Sequence, residues 1–455
     1  MKSQSYFIAL LIAAIFALHG CGGGPATTPT GTLPKNTAKQ TLTIAWADWA
    51  PARALEAMAK EWGNANNVDV KMDLSPSWNE YPKRVFDDFA AKKAPYDIVV
   101  GDSQWIGKGA TEGHYLELTD WIRKELPVDE IEPAAMQAFC EYPVGSGKYF
   151  AAPCEIDACA FAYRKDLFED PKEQEAFKVK YKRELAPPKT WMELRDIAEF
   201  FTRPQEKLYG LSLFTDSGGY DAVTMGFQQM MWAWGASYCD PATFKVEGVL
   251  NSKEGVEALQ FYIDLCKFVP PGATNTYHKE SLEAHTSGTV AMAMNYFGIM
   301  PVLLDPKTNK YVDKTGFFPI PAGPSGKAYA SLGGQGMSIM KYPAPEKQML
   351  AKKFIKWFQE TETQKKWASH PGCFTANRKA MQDPAFLKAA PFNAAFRDSL
   401  ELLRDFYNIP EFNELLIPCQ THWHAALIGK MTAKEAMDAV AKEHTEILKK
   451  AGAQQ

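Results

Sequence analysis

Residues Thr43–Trp62 read TIAWADWAPARALEAMAKEW, and the two halves of the stretch follow different periodicities. The run LTIAW, ending at Trp46, is short, apolar and bounded by polar residues, the pattern of a strand buried on both faces. From Ala52 onward, Leu55, Met58, Ala59 and Trp62 recur at helical spacing, which predicts a helix packing one face on that strand. Trp46, Asp48 and Trp49 therefore fall in a strand-to-helix turn. Downstream, VDVKMDL alternates as a strand, Tyr81 to Ala91 carries Val85, Phe86 and Phe89 on one helical face, and YDIVVGD is another short apolar strand. Strand, helix, strand, helix, strand within about 60 residues predicts parallel strands with right-handed crossovers. Ligands in such sheets bind beyond the carboxyl ends of strands. Trp46-Asp48-Trp49 and Asp102-Ser103-Gln104-Trp105 both lie there.

The start of the chain speaks to compartment. Met1-Lys2 followed by the apolar run Phe7 to Leu18 has the form of a secretory signal over residues 1–20. Leu18-His19-Gly20-Cys21 resembles the bacterial lipobox, with His19 its unusual member, so Cys21 is the expected lipidation site. Residues 21–40 are dominated by Gly, Pro and Thr and predict a disordered tether. No later segment offers the ~20 apolar residues of a membrane helix. The expectation is an exported body outside the cytoplasmic membrane, held to the envelope through acylated Cys21. The formal charge of −4 is spread without a basic stripe, which argues against nucleic acid as a partner. The remaining length, about 415 residues, exceeds what one core organises and predicts two lobes. Of eight cysteines, seven follow Cys21; Cys239 with Cys266 and Cys373 with Cys419 are the expected disulfides, and none shows zinc spacing.

A search for catalytic motifs returns little. There is no G-x-S-x-G and no H-E-x-x-H, and Gly145-Ser146-Gly147-Lys148 lacks the rest of a phosphate loop. His422 and His424 would diverge on a helix, and the segment holding His278, Glu280, Glu283 and His285 reads as a surface helix, so neither is taken as a metal site. No cofactor is expected. Glu155 and Asp157, two apart on one extended segment, face the same side, and their closeness would raise one pKa. Aromatics gather at predicted element ends: Trp46, Trp49, Trp105, Tyr220, Trp232, Trp234, then Tyr296, Phe297 and Trp423. Beside them stand groups that exchange hydrogen bonds with hydroxyls: Asp48, Ser103, Gln104, Glu155, Asp157, Asp216, Asn295 and Gln335. Flat apolar rings flanked by carboxylates and amides are a way to hold a sugar. Trp62, Trp121, Trp191, Trp357 and Trp367 lie within helical patterns and are assigned to core.

Six segments carry a resemblance in register along Thr41 to Gly452. They are YDIVVGDSQWIGKGATEGHYLELTDWI, GKYFAAPCEIDACAFAYRKDLF, PKTWMELRDIAEFF, GTVAMAMNYFGI, GFFPIPAGPSGKAYASLGGQGMSI and IGKMTAKEAMDAVAKEHTEIL. Together they resemble the extracellular solute-binding proteins of ATP-driven importers, in the family that binds maltodextrins, other oligosaccharides and glycerol-3-phosphate esters. The resemblance implies an α/β, two-lobed periplasmic-binding-protein fold with discontinuous lobes joined by crossing strands. The expected division is 41–157 with 300–345 in the first lobe and 158–299 with 346–455 in the second. Ligand would sit between lobes that close by hinge bending. By position, Trp46 and Asp48 resemble the family's first-turn contacts, Gln104 stands where a carboxylate often takes sugar hydroxyls, and Asp157 matches the crossover acid. Tyr220 resembles an aromatic shelf, Tyr296 or Phe297 the stacking aromatic, and Trp423 or His424 a late aromatic contact. Gly101 stands where sugar binders of this group can have tryptophan.

The function so implied is capture of a neutral oligosaccharide or related polyol and delivery to ABC permease subunits, by a monomer and without catalysis. Trp46 and Asp48 are favoured as contacts over Trp49, which beside Pro51 could instead shape the turn. A secreted hydrolase using Glu155 and Asp157 is the alternative of another class. A ligand-sensing lipoprotein not coupled to import would share the fold.

Overall fold

The computed structural model describes residues 39–218 and 220–453. The signal, the lipobox with Cys21 and the tether lie outside the described residues, apart from its last two positions. Among the described residues no helix is long and apolar enough to cross a membrane.

Strand β1 (Gln40–Ala47) is flanked by β2 (Val68–Ser75) and β3 (Ile98–Asp102), both parallel to it. Helix α1 (Ala50–Asn66) and α2 (Tyr81–Ala90) make the crossovers. The Tyr81 hydroxyl sits 2.8 Å from the carbonyl oxygens of both Ala45 and Val100, bridging the ends of β1 and β3. Strand β4 (Ala152–Arg164) is the long extended segment foreseen from its sequence, and β8 (Ala330–Ile339) runs antiparallel to its first half and to β3. Past Ala158 the partners of β4 change. Its far half lies between β6 (Val290–Tyr296) and β7 (Thr315–Pro319), and β5 (Tyr209–Ser212) adds beside β6 in parallel. A two-residue strand, β9 (Leu403–Arg404), pairs with the start of β8. Strands β4 and β8 thus belong to both lobes, and they are the crossing strands.

The packing moves two boundaries of the expected division. Strand β7 falls in the segment assigned to the first lobe, yet its ladder is with Ala160–Arg164 in the second. Helices Pro345–Phe358 and Thr361–Ala368, assigned to the second lobe, cover the first instead. Leu350, Phe354 and Ile355 form a buried stripe, Phe354 meets Trp62 at 5.2 Å, and Trp367 stacks on Trp46 at 6.5 Å. A helix that follows a strand covers the nearest open apolar face of its own sheet, here that of β8 and β1. Helices Phe412–Leu427 and Ala433–Lys450 do pack with Ala222–Trp234 and Lys253–Leu265 in the second lobe.

Capping boxes at Thr190–Glu193 and Thr432–Glu435 form as their sequences suggest. The helix from Lys253 is capped by Ser252, whose hydroxyl accepts from the Gly255 N–H at 3.3 Å. Neither expected disulfide forms: all seven described cysteines are free. The Cys419 sulfur lies 3.4 Å from His444 Nε2, while Cys373 is buried beside Glu155 and Cys154 near the crossing strands. Cys239 faces the Tyr407 hydroxyl, and Cys266 borders the Pro270–Thr274 loop.

Candidate functional site

The turn after β1 sorts its three candidates by backbone geometry. Trp46 is still in the strand and fully buried, edge-on to Trp49 at 5.5 Å. Asp48 points to solvent, where the Arg53 guanidinium grips both its oxygens at 2.7 and 2.5 Å. Trp49 caps α1 in an extended conformation, with Pro51 in the first turn, and its indole borders a cavity between the lobes. The sequence ranked these the other way round. Trp46 is core and Asp48 is a surface ion-pair partner.

That cavity has about 490 Å³ of space unfilled by atoms, solvent at its mouth included. On the first-lobe side it is walled by Trp49, by Trp78 in the loop before α2, and by Asp102, Ser103 and Gln104. Trp78 meets Trp49 edge-to-face at 5.4 Å. The floor is the crossing strands, where Asp157 pairs with Gly333 and Gln335 lies between Asp102 and Glu155 in register. Those three side chains share one face of the sheet, since lateral neighbours in a sheet point the same way. The far wall is Tyr220-Asp221 ahead of helix Ala222–Trp234, Tyr277-His278 opening helix His278–Thr286, then Tyr296 and Ile299. The walls touch directly: the Trp105 indole N–H donates to the Tyr220 hydroxyl at 2.6 Å, and the Tyr220 amide to Asn79 Oδ1 at 3.4 Å.

Carboxyl groups dominate the polar surface. Asp157 Oδ1 accepts from the Ala158 N–H at 2.7 Å and Oδ2 from the Gly298 N–H at 3.0 Å. Burial still outweighs these bonds and pushes its pKa up to about 8. Asp102 Oδ1 accepts from the Gln335 amide at 2.9 Å, and burial drives it up to about 8 as well, with Asp221 and Asp405 adding repulsion. Asp221 accepts from the Tyr277 hydroxyl and rises only to about 6. Glu155 is fully buried with neither oxygen hydrogen-bonded; desolvation, then the nearby Asp157 and Asp102, push its pKa well above the usual carboxylate range. It sits just beneath the cavity, for a Cβ on Gly298 would come within 3.0 Å of Glu155 Oε1 and 2.8 Å of both Asp157 Oδ2 and Trp49 Cζ3. The expected coupling of Glu155 with Asp157 is therefore present, with burial its larger cause.

Of the residues singled out from sequence, the cavity gathers Trp49, Ser103, Gln104, Asp157, Tyr220, Tyr296 and Gln335. The rest lie elsewhere. Trp105 is buried behind the first wall against Tyr81 and Phe86. Trp232 packs on Tyr238 beneath the Arg404 guanidinium. Phe297 joins Phe374, Phe392 and Phe396, and Trp423 packs on Phe227. His424 is occupied by the Thr215 carbonyl at 2.8 Å. Trp78, Asp221, Tyr277 and His278 also line the cavity and are not among the solute contacts read from the sequence, nor is Asp102, which the sequence places only at a strand's carboxyl end. Trp78 follows strand β2, so the strand-end rule that pointed to Asp102 could have found it too. No sequence signal marked the second-lobe loops. Nor is helix His278–Thr286 a surface helix throughout: His278 hydrogen-bonds Asn295 Oδ1 at 2.8 Å, and buried His285 meets Thr315 at 3.0 Å. Desolvation lowers both imidazoles to about 4 and keeps them neutral. Among the described residues no group of acidic, His and Cys side chains could hold a metal.

Two lobes around crossing strands, closed over a cavity of rings and carboxyls, define a protein that captures a small solute between its domains. The chain belongs to the bacterial extracellular solute-binding protein family, which it matches over residues 46–365. It is 24% identical to the mannitol-binding protein of Pseudomonas aeruginosa, over 91% of this chain and 94% of that one. A solute-binding protein from Agrobacterium radiobacter K84 in complex with ribitol superposes with a TM-score of 0.77 at 27% identity, covering 90% of this chain and 98% of that chain. A maltose-bound binding protein of T. maritima superposes with a TM-score of 0.78 at 24% identity, over 90% and 100% of the two chains.

Proposed function

We propose that this protein captures a small polyhydroxylated solute, a polyol or a sugar, in the interlobe cavity and delivers it to the permease of an ABC importer without chemical turnover. The observation that carries the reading is the pairing of unfilled acceptors with rings. Gln104 Oε1 and Gln335 Oε1 are buried in the lining without a donor, beside Trp49, Trp78, Tyr220 and Tyr296. A buried acceptor left unpaired costs about 1–3 kcal/mol, which donors on a ligand would recover, and the rings would take the C–H faces of the same molecule. The likeness to mannitol- and ribitol-binding proteins supports the same size of solute. Export by the signal, anchoring through Cys21 and a monomeric state complete the proposal.

Catalysis by Glu155 and Asp157 fits the geometry poorly. Both Asp157 oxygens are engaged by backbone N–H groups, and Glu155 lies beneath the cavity rather than on its lining. A thermal-shift screen over polyols and saccharides tests the reading, because a ligand at 100 times its Kd adds about 2.7 kcal/mol of stability. At least one such compound should raise the melting temperature. A panel that leaves it unmoved, together with glycoside hydrolysis that disappears in Asp157→Asn, would replace binding with catalysis.

A further inference from the structure

The cavity is lined by carboxyl groups with no cationic side chain beside them among the described residues. Asp102, Asp157 and Asp221 line it, and no lysine or arginine is among the described lining residues. Asp405 and Glu155 stand close behind, each with an unpartnered carboxyl oxygen. These carboxyls act on one another: Asp102 is pushed up by Asp221 and Asp405, and Glu155 by Asp157 and Asp102. No basic side chain figures among the groups acting on any of the five.

A cluster of acids alone does not make a site. Here Gln104 and Gln335, 4% and 5% exposed, also present unpartnered amide oxygens in the same lining. The lining thus joins unpartnered amide acceptors to carboxyls, and it is bounded by rings whose faces attract cations. Hydroxyl groups would satisfy the amide oxygens, whereas a cation would in addition supply the opposite charge that the lining lacks. Asp102 and Asp221 stand on opposite lobes. Each accepts from one side-chain donor through Oδ1, Asp102 from the Gln335 amide and Asp221 from the Tyr277 hydroxyl, and neither is paired with a lysine or arginine among the described residues. An ammonium carries three donors and no acceptor, whereas a hydroxyl carries one donor.

We propose that the cavity is built for a cationic polyhydroxylated solute, an amino sugar or amino polyol, whose ammonium lies between Asp102 and Asp221 while its hydroxyls meet Gln104 and Gln335. The proposal rests on the reading of the cavity as a sugar or polyol site and adds the charge. Placed between the two carboxyls, the ammonium would tie one lobe to the other and favour the ionised form of both.

Calorimetry at neutral pH on matched pairs tests it: D-glucitol against glucamine, and D-glucose against D-glucosamine. The amine should bind at least about ten-fold more tightly than its neutral twin in a pair that binds, a difference of about 1.4 kcal/mol. Asp221→Asn should erase most of that advantage, and Asp102→Asn serves if the first variant does not fold. Equal or tighter binding of the neutral twin overturns the inference, as does binding confined to neutral saccharides outside the pairs, and in both cases the sugar or polyol reading stands. If no polyol, saccharide or amine binds, that reading falls and takes the inference with it.

Discussion

The two walls of the cavity are built by different rules. The first-lobe wall comes from the turns after parallel strands β1, β2 and β3, so its position follows from the topology. The second-lobe wall comes from the approach to helix Ala222–Trp234, the start of helix His278–Thr286 and the end of β6, which converge only after the chain has crossed between lobes. A strand end says where a site is. It does not say which side chain enters it, because consecutive residues there point to the core, to solvent and to the cavity in turn, as Trp46, Asp48 and Trp49 do.

Substitutions can break that comparison or sharpen it. Trp46→Ala should cost about 3–5 kcal/mol of stability in chemical denaturation, as a large side chain deleted from a core does. Trp49→Ala should instead lower ligand affinity with a smaller stability loss, and the reverse pattern would undo the assignment of core and wall. Gly334→Ala acts on the floor that joins the walls. Gly334 has a φ of +112°, and a Cβ there would fall 2.4 Å from the Glu155 carbonyl oxygen. Strain and overpacking together should cost about 2–4 kcal/mol, measured by the same denaturation.

Tyr220→Phe removes the acceptor of the Trp105 indole, the side-chain bond between the walls, and leaves the Tyr220 amide bond to Asn79 in place. A donor left unpaired in the closed form costs about 1–3 kcal/mol, so affinity by calorimetry should fall roughly ten-fold or more while the unliganded melting temperature moves little. The floor also sets a pH response. Asp102 and Asp157 have folded-state pKa values near 8, above those of the unfolded chain. Between the two values the folded state holds more protons, so unliganded stability should fall as pH rises from about 4 to about 8 and level off above. Asp102→Asn should flatten that slope in melting scans. Least affected should be Asp48→Ala, which loses only a solvent-screened surface ion pair with Arg53, with the melting temperature and ligand affinity nearly unchanged.

The sequence made much of this fold legible, for physical reasons that can be named. LTIAW, VDVKMDL and YDIVVGD carry their strand character locally, and the helices between them carry a one-sided apolar stripe. Parallel topology follows from that order, and the line of the site follows from the topology. What stayed hidden depended on distant partners. Trp232, Phe297 and Trp423 sit near element ends yet are enclosed by Tyr238, Phe374 and Phe227 from elsewhere in the chain. Asp221 and Tyr277 acquire their role only by meeting each other across 56 positions. The lobe boundaries shifted likewise, because Trp367 finds Trp46 and not a neighbour in sequence.

The most direct test of the central claim is a crystal structure with the tightest binder from the polyol, sugar and amine panel. The solute should lie between Trp49 and Trp78 on one side and Tyr220, Tyr277 and Tyr296 on the other, within hydrogen-bonding distance of Gln104 or Gln335. Density instead in the larger cavity bordered by Pro143, Phe244 and Tyr407 would contradict it.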